Sequence, residues 1–181
     1  KPLLEDSKVL IMQKPSNFII SKNHFSNVRY SINSLLDAIL LKDIKVPVIV
    51  HLQMDTGMNR VGIRSIKELK WVISTLTTNE LIKIEGIYTH FSSDFYESKY
   101  FKKQVNMFKK CLNIYPFEII HANATKSLHK MNLGNYLRVG MAIYGYHQPH
   151  YEVVPSVSIT EKPIKIFNST SNDLIGYSQL S

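Results

Sequence analysis

The feature that most constrains the fold is residues 46–54, VPVIVHLQM, an almost continuous run of apolar and mainly β-branched residues. Such a run predicts a strand buried on both faces, as strands are in parallel sheets covered by helices. Further apolar runs, which predict strands or short core segments, lie at 9–12, 18–20, 82–91, 118–121 and 136–144. The chain is therefore expected to build on a parallel sheet.

Helical segments alternate with these strands. Apolar residues recur at helical spacing in residues 31–41, 65–76 and 97–114, and Ser65 is in position to cap the second helix. The expected apolar side of the first helix consists of Leu35, Leu36, Ile39 and Leu40. Strand–helix alternation predicts an α/β fold with a parallel sheet. A closed eight-stranded barrel takes about 250 residues, and only about five strands are predicted, so we expect a fragment.

The pattern of the sequence changes after about Pro149. Residues 151–181 have no helical period and carry apolar residues in alternating stretches, broken by prolines and by the turn cluster NSTSN at 168–172. We expect residues 1–149 to form the α/β part and residues 150–181 to begin a second, all-β domain. The chain stops just past a strand-like segment at 174–177, which is a further reason to expect a fragment.

Charge and cysteine content argue against several classes of protein. The net charge is +8, with 18 lysines and four arginines. The lysines are scattered, which favours a solvated surface over a nucleic-acid site. The single cysteine, Cys111, cannot form an internal disulfide, which fits a reducing compartment such as the cytoplasm. No apolar run approaches the ~18–20 residues of a membrane span, and no targeting segment is visible at Lys1.

Four polar motifs lie at the ends of predicted strands. They are DTGMNRVG (55–62), YTHF (88–91), HANAT (121–125) and RVGMAIYG (138–145). In parallel α/β folds, residues just past the carboxyl ends of strands line the active site. No Walker loop, nucleophile elbow or metal-ligand spacing is present, so no metal site is expected. Taken singly, the motifs also have structural explanations, such as a buried histidine or a helix-capping Asn123.

In this order, however, the motifs resemble those of the alanine racemase family, fold-type III enzymes that use pyridoxal 5′-phosphate (PLP). The resemblance rests on HLQMDTGMNRVG (51–62), EGIYTHF (85–91), HANAT, LRVGMAIYG (137–145) and IGYS (175–178). It implies a partial (β/α)8 TIM-type barrel in residues 1–149, followed by the start of an all-β C-terminal domain. It also implies an amino-acid substrate, a head-to-tail homodimer of the full-length protein, and no nucleic-acid or membrane partner.

The resemblance assigns residues to a cofactor site. Arg138 would face the pyridine nitrogen of PLP and would leave it unprotonated, because a guanidinium does not readily give up a proton. His90 would support Arg138 and the ring. The backbone N–H groups of Gly140 and Met141 would hold the phosphate. The family's Ala-Asn-Ser segment, a further phosphate contact, corresponds here to Asn123, Ala124 and Thr125.

The resemblance also assigns the groups that act on the substrate. Tyr177 matches the family's catalytic tyrosine, which would move the Cα proton in the partner chain's site. Arg60 matches the arginine near the substrate carboxylate. Gln53 stands where many members have a carbamylated lysine that steadies this arginine. The family's Schiff-base lysine lies upstream of anything present here, and none of the 18 lysines has its motif.

The sequence thus predicts a PLP-dependent alanine racemase, an isomerase that interconverts L- and D-alanine and supplies D-alanine for peptidoglycan. The chain by itself is expected to be inactive, because it lacks the Schiff-base lysine. Two alternatives remain open: a non-catalytic PLP-binding barrel protein of the same fold type, and a basic α/β module that binds a polyanion. The β-pattern after residue 149 counts against the first, and the five ordered motifs count against the second.

Overall fold

A computed structural model describes residues 7–13, 15–22, 25–92, 97–124, 133–145 and 154–158. Its centre is a five-stranded sheet in which each strand is parallel to its neighbour and the spatial order follows the chain order. The strands are β1 (Val9–Ile11), β2 (Val28–Ile32), β3 (Val48–Met54), β4 (Ile82–Thr89) and β5 (Ile119–His121). Parallel strands in chain order, joined through helices, are the arrangement of a partial (β/α) barrel.

Four helices connect these strands. They are α1 (Asn17–Lys22), α2 (Leu35–Leu41), α3 (Ile66–Leu76) and α4 (Lys99–Leu112). The hydroxyls of Ser34, Ser65 and Ser98 each accept the backbone N–H of the residue three positions later, which caps α2, α3 and α4. The predicted helices at 65–76 and 97–114 are confirmed to within two residues at each end, as is the cap at Ser65.

The apolar core lies between the sheet and the helices. Its members from β3 and α3 are Val48, Val50, Leu52, Met54, Leu69, Val72 and Leu76. Alternate residues of a strand point to opposite faces, so His51 and Gln53 of β3 lie on the inner face, where both are buried. The outer face of the sheet is therefore apolar, and its inner face carries hydrogen-bonding side chains.

A two-stranded parallel sheet follows β5. It pairs β6 (Asn123–Ala124) with β7 (Leu137–Arg138), and a 3₁₀ helix (Met141–Tyr144) comes next. The strand expected at 136–144 is therefore wrong in its extent. The apolar run does not continue as a strand because the chain turns at Gly140, whose carbonyl accepts the N–H of Ile143 at 2.9 Å.

Strand β2 was not revealed by the sequence, and the helix predicted at 31–41 is wrong at its start. Ser31 and Ile32 belong to β2, and α2 begins at Leu35. The segment VRYSI has polar residues, Arg29 and Ser31, at alternate positions. Both are buried on the inner face. The segment alternates apolar and polar residues, which is a short strand pattern, but it is not the continuous apolar run by which the other buried strands were recognised.

Helix α2 also buries a different side from the one expected. Ala38 and Leu41 are fully buried, whereas Leu36, Ile39 and Leu40 are 62, 44 and 54% exposed. Leu35 packs partly against the core. Positions 35, 38 and 41 are three apart and form one stripe along this short helix, and α2 packs against α3. Leu36, Ile39 and Leu40 therefore face outward.

The expected second domain at the end of the chain is not tested by the described residues. Residues 154–158 have no regular secondary structure, while residues 146–153 and 159–181 lie outside the described residues. The division at 149/150 and the strand at 174–177 therefore stay predictions. In the described ranges, no helix is both long enough and apolar enough to span a membrane.

Candidate active site

The loop after β3 is folded around Asp55. Its Oδ1 accepts the backbone N–H groups of Gly57 (3.1 Å) and Asn59 (2.9 Å), so the loop turns back on itself. Gly62 has a φ of 130°, and a Cβ there would come within 2.7 Å of the Asp55 nitrogen, so the return of the loop requires glycine. The loop carries Arg60, which is exposed and makes no hydrogen bond or ion pair with the described residues.

The end of β4 is tied to β3. Thr89 Oγ1 donates a hydrogen bond to the carbonyl of Met54 at 2.9 Å, which fixes the backbone just before His90. Burial, and then the positive charges of Arg138 and Arg60, lower the pKa of His90 below 6.5. His90 is therefore a neutral imidazole at pH 7, and it lies within the electrostatic reach of both arginines of the predicted site.

Arg138 reaches from β7 to the end of β4. Its Nη2 donates to the carbonyl of Thr89, and its Cζ lies 5.3 Å from the centre of the Tyr88 ring, a cation–π contact. Burial lowers the pKa of Arg138, yet a guanidinium keeps its proton in proteins. Its Nε is buried and has no hydrogen-bond partner in the described part of the chain. Because buried donors normally have partners, this atom is the clearest place for a ligand.

The pairing of β6 with β7 brings two of the predicted motifs side by side. Residues Asn123–Ala124 pair with Leu137–Arg138, and β6 follows β5 after a single residue. Gly140 comes two residues after β7, and a Cβ built on it would meet nothing within 4 Å, so there is open space beside it. Met141 then begins the 3₁₀ helix. The structure thus brings Arg138, His90, Asn123, Ala124 and Gly140 to one end of the sheet.

Three of the expected residues call for separate comment. Thr125 and Tyr177 lie outside the described residues. Gln53, which matches the lysine that steadies the arginine, makes no hydrogen bond to the Arg60 guanidinium. Its Oε1 accepts a hydrogen bond from the Tyr88 hydroxyl (2.7 Å), and its Nε2 donates to the carbonyl of Val61 (3.2 Å). Gln53 therefore holds the backbone next to Arg60.

We call the carboxyl ends of the strands, where Arg138, His90 and Gly140 lie, the rim. Inside the half-barrel, below the rim, lies a set of buried polar side chains that the sequence did not predict. Arg29 donates two hydrogen bonds to Glu85, at 2.8 and 3.0 Å. His51 Nε2 lies 3.1 Å from Glu85 Oε2, and His51 Nδ1 lies 3.0 Å from His121 Nε2. We call these four residues the inner polar chain. The signal in the sequence was the presence of charged residues and histidines inside apolar strand runs.

The inner polar chain meets the rim at Tyr88. The rings of Tyr88 and His121 stack with centroids 4.6 Å apart and planes 10° apart. Burial, followed by the charge of Arg138, lowers the pKa of His121 to about 3. Burial raises the pKa of Tyr88, which stays a neutral phenol. The side of the rim next to Arg138 is thus lined by neutral rings.

The fold and the position of this site define the class of protein: a (β/α) barrel domain with its site at the carboxyl ends of the strands. Residues 5–148 match the family model described as "Alanine racemase, N-terminal domain". The chain belongs to the alanine racemase family. Fold class and family, both expected from the sequence, are thereby confirmed.

Curated relatives agree with this assignment. An alanine racemase from Listeria monocytogenes serotype 4a is 30% identical over 167 residues, which covers 88% of this chain and 44% of that protein. An alanine racemase from Streptococcus suis is 34% identical over 139 residues, covering 71% of this chain and 38% of that protein. The chain thus spans less than half the length of these relatives.

Solved structures give the same picture. The alanine racemase from E. faecalis superposes with a TM-score of 0.68 at 26% identity, covering 84% of this chain and 44% of that one. A histidine racemase from Leuconostoc mesenteroides has a TM-score of 0.70 at 19% identity, covering 95% of this chain and 50% of that one. The second likeness is one of fold alone.

Proposed function

We propose that the full-length protein is a PLP-dependent racemase that acts on alanine, and that this chain supplies its cofactor-binding rim. The alanine racemases from Listeria and Streptococcus, at 30 and 34% identity, support alanine as the substrate. The observation that carries the proposal is the buried Nε of Arg138, which has no partner among the described residues and lies at the carboxyl ends of the strands.

The rim residues fit PLP. Arg138 would donate its Nε–H to the pyridine nitrogen, which would give this buried donor the partner that it lacks among the described residues. The open space at Gly140 leaves room for a phosphate group close to the backbone N–H groups of Gly140 and Met141. Residues 123–125 would complete the phosphate site. When bound, PLP supplies an electron sink that makes the α-hydrogen of an amino acid acidic enough to remove.

Arg138 and His90 would set how strong that electron sink is. Arg138 keeps its own proton, so the pyridine nitrogen that it faces would stay unprotonated. His90 is neutral at pH 7 and adds no second positive charge beside it. A weaker sink than one paired with a carboxylate favours rapid return of the proton to Cα, which suits racemisation.

The proposal gives Arg60 and Tyr177 the substrate chemistry. Arg60 is exposed at the rim and unpaired among the described residues, so its charge would be available to the substrate carboxylate. Tyr177 would carry the proton on one face of Cα, across a head-to-tail dimer. The family's Schiff-base lysine would serve the opposite face. In this proposal the protein supplies D-alanine for peptidoglycan in the cytoplasm.

The proposal is tested on the full-length protein, before and after removal of PLP. Conversion of L- to D-alanine is followed by chiral chromatography, and cofactor binding by absorbance. We expect conversion only when PLP is present, and faster conversion of alanine than of serine or histidine. Failure to bind PLP would refute the proposal, and binding without conversion would favour the non-catalytic PLP-binding alternative.

A pair of variants sharpens this test. Arg138→Gln removes the buried charge and should weaken PLP binding by about tenfold or more, since a hydrogen bond to a charged group contributes about 1.5–3 kcal/mol. Lys70→Gln is the matched control, because Lys70 is an exposed cation of α3. If both variants bound PLP as the unmodified protein does, Arg138 would not be a cofactor residue.

A further inference from the structure

The inner polar chain crosses the inside of the half-barrel from the starts of the strands to the rim. Arg29 is the second residue of β2, and His121 is the last residue of β5. Lys8 Nζ adds a third cationic contact to Glu85, at 3.4 Å. All four members of the chain are less than 8% exposed. Barrel interiors are usually filled by branched apolar residues, so a buried charged chain at this place calls for an explanation.

The backbone is shaped to admit this chain. Val50 of β3 pairs with Ile84, but His51 pairs with Gly86, so Glu85 is an extra residue in β4. Such a bulge redirects a side chain, and here Glu85 reaches Arg29 and His51. A Cβ on Gly86 would lie 2.8 Å from Cε1 and Nδ1 of His51. The missing side chain at Gly86 therefore makes the space for the His51 ring.

The hydrogen bonds of the chain define the tautomer of each histidine. The hydrogen bonds from Arg29 hold the pKa of Glu85 at about 2, so Glu85 is an ionised acceptor and the facing Nε2 of His51 must carry a proton. Burial lowers the pKa of His51. The ring is therefore neutral, and its Nδ1 is an acceptor. His121 Nε2, 3.0 Å away, must then be the donor. A neutral His121 is left with an unprotonated Nδ1.

The chain ends at the Tyr88 ring, which Arg138 also contacts. His121 stacks on the ring of Tyr88, and Arg138 lies over the same ring. His121 Nδ1 and Arg138 Nε are both buried without partners among the described residues. We propose that Glu85, held by Arg29, is a positioning residue that fixes His51 and His121 as single neutral tautomers and so presents a bare acceptor nitrogen at the Tyr88 ring, which Arg138 also contacts. The link to catalysis rests on the proposed function, whereas the tautomers themselves do not.

Nuclear magnetic resonance of ¹⁵N-labelled histidine in the full-length protein tests the inference directly, without any substitution. The two ring nitrogens of a neutral histidine differ in ¹⁵N shift according to which one carries the proton. We expect both His51 and His121 to be protonated at Nε2 and bare at Nδ1 at pH 7. A protonated ring, or the opposite tautomer at either residue, would overturn the inference.

Glu85→Gln tests whether the carboxylate is the cause. The amide can face His51 with a donor or an acceptor, so the minor tautomers of His51 and His121 should rise by about tenfold or more. Glu85→Asp keeps the charge and should restore part of the preference. Glu118→Gln is the matched control, since Glu118 pairs with Lys83 on the surface at 2.8 Å. Unchanged tautomers in Glu85→Gln would overturn the inference.

Where Glu85→Gln leaves Arg29 buried without a countercharge and the protein does not fold, the double variant Arg29→Gln/Glu85→Gln removes both charges and gives the same readout. Kinetics then separate the two proposals. If the protein racemises alanine, Glu85→Gln should lower kcat with little change in KM. If it does not bind PLP, the proposed function fails, while the tautomers measured in the unmodified protein still decide the inference.

Discussion

The two arginines of the candidate site are held to different degrees. Arg138 is buried, donates to the carbonyl of Thr89 and lies over the ring of Tyr88. Arg60 is exposed on a loop whose turn is held by hydrogen bonds from the backbone N–H groups of Gly57 and Asn59 to Asp55. A substitution at Arg138 should therefore change both the stability of the protein and its affinity for a ligand, whereas a substitution at Arg60 should change ligand affinity alone. Both arginines match positions of the family's motifs, but the structure shows that they differ in burial and in hydrogen bonding.

Arg60→Ala should leave stability nearly unchanged and, if the proposed function holds, raise KM for alanine. Exposed side chains without partners contribute within about 0.5 kcal/mol to folding, whereas loss of a charged hydrogen bond to a carboxylate costs about 1.5–3 kcal/mol, or roughly tenfold or more in KM. Urea unfolding and steady-state kinetics of the full-length protein measure both effects. Lys70→Ala, which removes an exposed cation of α3, is the control. Equal KM values for the two variants would remove Arg60 from the substrate site.

Gly86→Ala should lower stability, whereas Gly140→Ala should, on the proposed function, lower PLP affinity alone. At Gly86 the new Cβ would overlap the His51 ring and the Ile119 carbonyl, both 2.8 Å away, so the free energy of unfolding should fall by about 1–3 kcal/mol. At Gly140 nothing lies within 4 Å, so stability should hold while PLP affinity falls. Urea unfolding and absorbance titration check the pair. A Gly86→Ala protein of normal stability would contradict the close approach of His51.

At the scale of elements, the first turn of α3 is fixed by a variant of the capping box, a pair of reciprocal hydrogen bonds between side chains and backbone N–H groups. Ser65 Oγ accepts the N–H of Glu68 at 3.0 Å, and Glu68 Oε2 accepts the N–H of Arg64 at 3.0 Å. The other oxygen of Glu68 accepts the N–H of Leu35 at 3.4 Å, so the same carboxylate also reaches the start of α2. One side chain thus joins the starts of two neighbouring helices beside the rim.

Ser65→Ala should lower the free energy of unfolding by about 1 kcal/mol, the usual cost of losing a helix cap. Ser74→Ala is the control, because Ser74 lies in α3 on its exposed side. Urea unfolding followed by circular dichroism measures the difference between the two variants. If the two proteins unfolded at the same urea concentration, the cap at Ser65 would contribute nothing to stability.

The elements also show which features can be derived from a sequence. The bounds of α3 and β3 and the cap at Ser65 follow from local patterns, and the structure confirms them. The burial of Arg29 and Ser31 on β2 could not be predicted, because their partners, Glu85 and Tyr88, lie 56 and 57 positions away in the chain. No local pattern contains such a pairing. The side of α2 that is buried likewise depends on the position of α3.

For the molecule as a whole, the buried imidazoles link stability to pH. Burial lowers the pKa of His51, His90 and His121, the last to about 3. The unfolded chain then binds protons below about pH 6.5 that the folded protein does not bind. The free energy of unfolding must therefore fall as the pH drops. Glu85 acts in the same direction between its usual value of 4.5 and about 2.

We expect the free energy of unfolding of the full-length protein to decrease below about pH 6.5, by up to about 1.4 kcal/mol per pH unit for each buried imidazole. Thermal unfolding between pH 8 and pH 5 measures the slope. His121→Gln removes one such group and should make the slope shallower by about one proton, while Glu118→Gln should not change it. A stability that stayed constant from pH 7 to pH 5 would show that these rings are protonated in the folded protein.

The extra residue in β4 divides that strand into two stretches that are out of phase. Ile82 and Ile84 face the core, and the next core residue is Ile87, three positions on instead of two. A deletion inside a strand normally turns every later side chain to the wrong face. Removal of Glu85 alone would instead make the alternation regular. Tyr88 and His90 would keep their orientation, although the ion pair with Arg29 would be lost. The length of β4 is therefore tied to that buried pair, while the orientation of Tyr88 and His90 does not depend on it.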